Sequence, residues 1–258
     1  MPIETHEQTV LGKRRQISIY TPDSYKSSIR RYPVLYMHDG QNIFDDKRAF
    51  YGKSWRASQA AERADVIIAA VDCNTEGTGR LDEYSMWELQ ADVKQKLALD
   101  PSLRAGGQGT AYIRYLMEEL KPAIDQEWRT DPDRTGMAGS SAGGNCTLSA
   151  VCLYPHLIRY AAALSPACWL FQDKLEQQIK DAALAPQHRI YIDTGTDEHV
   201  GSVGPKAYME SVFSAANVLQ RTKADTHFHV QENGMHEEAS WGERFSEAVM
   251  YLFEGGSR

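Results

Sequence analysis

The sequence predicts an α/β fold, with a mostly parallel central sheet covered by helices on both faces. Three observations lead there. Short, continuous apolar runs recur along the chain, as expected for strands buried on both faces. Segments with helical periodicity separate them, so strand and helix alternate. A Gly-x-Ser-x-Gly sequence stands where one run ends and a helix begins.

Taken in order, residues 7–21 predict two short strands joined through Gly12-Lys13, with Gln16 to Tyr20 alternating as an antiparallel strand does. The buried runs follow: Pro33 to Met37, Val66 to Val71, Thr135 to Ala138, Ala161 to Leu164, Arg189 to Ile192 and His227 to Val230. Helical spacing covers about 54–63, 110–126, 142–154, 205–221 and 238–253. No repeat or linker divides the chain, so one domain is expected over residues 1–258. A long loop insertion interrupts it at about 74–109, and loops of that length are commonly functional.

The bulk properties exclude several classes. The chain has 258 residues, 42% hydrophobic and 24% charged, which suits a globular body able to bury a sizeable core. A net charge of −7 argues against a sequence-independent nucleic-acid binder. No apolar run reaches membrane-spanning length, and the N-terminus carries no secretory pattern, so a cytoplasmic protein is expected. The four cysteines show no Cys-x-x-Cys spacing and are expected to be structural thiols.

In an open α/β sheet, ligands sit beyond the carboxyl ends of the strands. Chemistry is therefore expected at His38 to Gln41, Asp72 to Asn74, Gly139 to Gly143, Ser165-Pro166 and Thr194 to His199. Within Gly139-Ser140-Ser141-Ala142-Gly143, the strand–turn–helix context makes Ser141 a candidate nucleophile. The flanking glycines would let strand and helix pass closely, and the helix N-terminus favours a developing oxyanion. A phosphate loop fits less well, since no Lys-Ser or Lys-Thr follows.

Where this motif belongs to a hydrolase, an acid and then a histidine follow in chain order. His199 and His236 are the histidines placed in loops after strands, and His236, between the last strand and the last helix, fits the general base. After the Arg189–Ile192 run, Asp193 lies too near the strand core, while Asp197 and Glu198 both sit in the turn and remain open alternatives. The oxyanion donors are expected to be the backbone amides of Ala142 and Gln41, with Gly40 shaping the second loop. Asp39 in that loop is a candidate substrate contact, or else bonds to its own turn. Tyr84 and Trp87 of the insertion are candidate substrate contacts, with packing onto the body the equal alternative. His227 and His229 share a strand face, but no third ligand stands near them at metal spacing, so no metal is expected.

With these residues in view, the chain resembles the Putative esterase branch of the α/β-hydrolases, which includes esterase D, siderophore trilactone esterases, feruloyl esterase domains and mycolyltransferases. The matching stretches run from Tyr32 to Asp45, Gly52 to Trp55, Glu83 to Ser85, Glu119 to Pro122, Gly139 to Gly144, Leu164 to Pro166 and Gly195 to Glu198, ending at His236-Glu237 with Trp241. The resemblance implies the α/β-hydrolase fold and a serine esterase using an acyl-enzyme, with no metal or cofactor and a small-molecule ester as substrate. It selects Glu198 over Asp197 as the acid beside Ser141 and His236. It also leaves siderophore trilactones and S-formylglutathione-type thioesters as alternative substrates. Departures are Ala142, where relatives often carry a larger residue, Ser140, where the S-formylglutathione hydrolases typically carry histidine, and Met86, where proline is common.

Overall fold

The computed structural model describes residues 3–254. Eight strands form one sheet: β1 (Ile3–Val10), β2 (Lys13–Tyr20), β3 (Tyr32–Met37), β4 (Ile67–Val71), β5 (Thr130–Ser141), β6 (Tyr160–Pro166), β7 (Arg189–Asp197) and β8 (Asp225–Met235). Their spatial order is β1-β2-β4-β3-β5-β6-β7-β8. The β1–β2 and β2–β4 pairs are antiparallel, and every pairing from β4 through β3 to β8 is parallel.

The first hairpin differs slightly from expectation. Its turn residues are Leu11 and Gly12, with Val10 paired to Lys13. Both have positive φ, 46° and 79°, the combination that matches the twist of a two-residue hairpin.

The helices are α1 (Ser24–Ser27), α2 (Ala57–Ala64), α3 (Gly79–Tyr84), α4 (Ala91–Lys96), α5 (Gly109–Tyr115), α6 (Lys121–Glu127), α7 (Ala142–Leu153), α8 (Gln172–Asp181), α9 (Pro205–Gln220) and α10 (Glu238–Glu254). The alternation of β3 and β4 divides the core. Val34, Tyr36, Ile67 and Ala69 pack with α5, α7 and α9 on one face. Leu35, Met37, Ile68 and Ala70 pack with α2 and α10 on the other. This two-sided burial is why these strands read as unbroken apolar runs.

Three expectations change. The helix expected over 110–126 is interrupted by a π segment, Leu116–Leu120, next to Pro122, which has no N–H for the carbonyl four residues back. α2 starts later than expected because Trp55 N–H donates to Asn42 (3.0 Å) and Arg56 takes a left-handed φ of 51°. Residues 74–109 are not a bare loop. They contain α3 and α4, bury Tyr84, Leu89, Val93 and Ala105, and are tied to β2 by the buried Arg15–Glu83 ion pair at 2.6 Å. α8 was hidden because only Leu175 and Ile179 of its residues are buried, too few to show a periodic face.

All four cysteines are free thiols. No helix among the described residues is long and apolar enough to cross a membrane.

Candidate active site

β5 ends at Ser141 and α7 begins at Ala142, so the serine stands at the junction. Its backbone has φ 56° and ψ −123°, a conformation that L-residues rarely adopt. The turn can be this tight because its neighbours lack side chains. A Cβ on Gly139 would lie 2.7 Å from the His38 ring and 2.8 Å from the Gly143 backbone. His38 itself is buried beneath the turn, and that burial pushes its pKa down to about 4, leaving a neutral packing residue.

Ser141, His236 and Glu198 are brought together in series. His236 Nε2 lies 2.9 Å from Ser141 Oγ, and His236 Nδ1 lies 2.6 Å from Glu198 Oε2. With Nδ1–H donating to the carboxylate, Nε2 is left to accept from the serine hydroxyl. The imidazole is held edge-on to Trp241 and Tyr208, with ring centroids 4.8 and 5.1 Å away.

Glu198 is fully buried, whereas Asp197 is exposed. The other carboxylate oxygen of Glu198 accepts from the Ser165 hydroxyl and from Gly195 N–H at 3.0 Å. Burial disfavours its charge, but the hydrogen bonds from His236, Ser165 and Gly195 outweigh that and hold its pKa below the usual value. His199 points elsewhere, its Nδ1 lying 3.1 Å from the Asp197 carbonyl.

Sequence reasoning missed the support behind this acid. Arg244 of α10 donates to Asp193 (2.7 Å) and to Ser165 Oγ (2.8 Å), while Trp241 Nε1–H donates to the same hydroxyl at 3.0 Å. Tyr208 O–H donates to the Ser165 carbonyl at 2.7 Å. Asp193 therefore serves as the buried partner of Arg244. A basic residue on the apolar face of α10 was the available signal for this network.

The loop after β3 faces the serine turn from the other side. Asp39 has a left-handed φ of 55° and begins a short 3-10 turn, Gly40–Asn42. Its carboxylate is gripped by Arg80 through two bonds of 2.7 and 2.8 Å, and its backbone N–H donates to Tyr84 Oη at 3.0 Å. Burial opposes the charge on Asp39, yet the Arg80 guanidinium prevails and holds the carboxyl below its ordinary range. The Gln41 side chain is pinned to Cys73, whose N–H it accepts at 3.1 Å and whose sulfur it contacts at 3.3 Å. Gly40 is required here, because a Cβ would lie 2.8 Å from the Val71 backbone.

Each of the three candidate substrate contacts has a partner within the fold. Asp39 and Tyr84 are buried, and both brace the loop. Trp87 is half-buried and packs on Phe171 at 5.4 Å.

Glu238, the first residue of α10, joins the two sides of the site. Asn42 Nδ2–H donates to it at 2.8 Å, and Trp55 Nε1–H donates to its second oxygen. Burial dominates these bonds and raises its pKa from 4.5 to about 8. In that window the folded protein keeps a proton that the unfolded chain has released. The contribution of this group to stability should therefore fall as pH rises from 4.5 through about 8. Glu238→Gln cannot titrate, so its thermal midpoint should rise relative to the wild type's over the same range. The expected divergence is on the order of a few kcal/mol, and parallel pH–Tm curves would refute this role.

His227 and His229 of β8 lie far along the sheet, and Glu247 of α10 joins them, a neighbour that spacing along the chain did not reveal. The three do not belong to the serine site.

A family model described as Putative esterase matches residues 8–252. The chain belongs to that family and is a carboxylic ester hydrolase. Among curated relatives, the uncharacterized protein YbbA of Bacillus subtilis (strain 168) is 24% identical over 226 residues, covering 87% of this chain and 81% of the relative. The S-formylglutathione hydrolase of Rattus norvegicus is 26% identical over 223 residues, covering 77% and 75%. Among solved structures, an IroE-like serine hydrolase from Shewanella oneidensis superposes with a TM-score of 0.79 at 17% identity. It covers 98% of this chain and 80% of that one, and establishes the α/β-hydrolase fold.

Proposed function

We propose that this esterase hydrolyses small-molecule carboxylic esters through an acyl-enzyme on Ser141. His236 takes the serine proton as Oγ attacks the ester carbonyl, then returns it to the departing alcohol. Glu198 keeps the imidazole in the required tautomer and stabilises its charged form. Water, activated by the same histidine, then releases the acid. The single observation that carries this reading is the unbroken series from Ser141 Oγ to His236 to Glu198, with spacings of 2.9 and 2.6 Å.

The oxyanion is assigned to the backbone amides of Ala142 and Gln41. Ala142 is the first residue of α7, where N–H groups lack intrahelical partners and the helix dipole is favourable. Gln41 is supported by the fixed loop that Asp39, Arg80, Tyr84 and Cys73 create. One such donor is worth roughly 3–4 kcal/mol of transition-state stabilisation.

Rapid mixing with a short p-nitrophenyl ester tests the pathway. A burst of about one nitrophenol per chain before the steady state is the expected mark of an acyl-enzyme. Gly40→Ala should displace the Gln41 amide and lower kcat by about 100-fold, with KM changed far less. A loss confined to KM would remove Gln41 from the oxyanion site.

A further inference from the structure

We propose that His227, His229 and Glu247 form a binding site for a first-row transition-metal dication of the zinc class. The site is separate from the serine chemistry. Alternation along β8 puts the two imidazoles on one face of the sheet, and Glu247 of α10 brings its carboxylate to them. One ligand atom from each residue lies within 4.8 Å of the other two. Glu247 Oε1 is 3.5 Å from His227 Nε2 and 3.9 Å from His229 Nδ1.

Bonds of about 2.0–2.2 Å to a tetrahedral zinc place its ligand atoms roughly 3.3 Å apart. The observed spacings need only small side-chain rotations to reach that value. Both histidines are partly exposed and Glu247 is exposed, so a hydrated ion can reach the ligand atoms from solvent.

The surroundings favour ligation. His227 is held between the rings of Tyr191 and Tyr251, with centroids 5.6 and 5.2 Å away. His229 directs Nδ1 toward Glu247 while its Nε2 lies 3.5 Å from Gln231 Oε1, so that Nε2–H has an acceptor once Nδ1 takes a metal. An outer acceptor of this kind fixes the tautomer and orientation of a ligating imidazole. Two imidazoles with one carboxylate suit zinc, cobalt, nickel or copper, and suit calcium or magnesium poorly. Three protein donors leave a fourth position for water.

The consequence is mechanical. β8 ends just before His236 and α10 begins at Glu238, just beyond it, and the metal would clamp the two to each other.

The test is zinc titration of chelator-stripped protein by calorimetry, paired with thermal melting. The wild type should bind one equivalent and melt at a higher temperature with zinc. His229→Ala and the near-isosteric Glu247→Gln should bind at least about tenfold more weakly and lose the Tm rise. Both variants should hydrolyse esters as the wild type does, because neither residue touches Ser141 or His236. A wild type that binds no zinc overturns the proposal. So does equal binding by the two variants, which would place the ion elsewhere, for example on His236 and Glu198.

Discussion

Ser141→Ala is expected to lower kcat for a short p-nitrophenyl ester by at least about 10⁴-fold, with little change in folding. The magnitude follows from the geometry. Without Oγ there is no atom to form the acyl-enzyme, and His236 keeps only the ability to polarise water. What survives is the oxyanion site and substrate binding, worth about 10³–10⁴ over the uncatalysed reaction in triad hydrolases. The alanine methyl fits where the serine Cβ already stands, so the φ of 56° adds no new steric cost beyond that of serine. Steady-state rates with circular dichroism as a folding control provide the measurement. Retention of more than a few per cent of activity would mean that another group is the nucleophile.

The second large effect is expected at Glu198. Glu198→Gln keeps the volume but places a carboxamide where His236 Nδ1–H and the Ser165 hydroxyl now donate. The amide can turn only one oxygen toward these donors. Either Nδ1–H faces an NH₂ group or the imidazole adopts the wrong tautomer, leaving Nε2 protonated and unable to accept from Ser141. A loss of about 10⁴-fold in kcat is the expected order for such a change. Asp197→Asn should stay near wild type, because that side chain is exposed and makes no contact with His236. The opposite ranking in kcat would transfer the acid role to Asp197.

Much of this molecule is readable from local pattern. β3 and β4 are apolar on both faces, and the Ser141 turn is marked by its own glycines. His236 is marked by its place between the last strand and helix. What remained hidden depends on partners distant in sequence. Asp197 and Glu198 are chemically equivalent in one dimension. Only the course of β7 turns Glu198 inward to Gly195 N–H and the Ser165 hydroxyl and leaves Asp197 in solvent. For Asp39 and Tyr84 the sequence left substrate contact and internal packing open; Arg80 folds over the first and the second is buried with its hydroxyl on the loop backbone. Glu238 gives no local sign that it will meet Asn42 and Trp55. The His227–His229 pair was visible at strand spacing, while Glu247, on α10, reaches it only in the folded chain.

The most direct test is covalent labelling with a fluorophosphonate, with the modified peptide mapped by mass spectrometry. One adduct per chain is expected, located on Ser141, with activity lost in proportion to labelling and labelling much slowed in His236→Ala. An inactivated enzyme carrying its adduct on another residue, or a fully active enzyme with Ser141 modified, would contradict it.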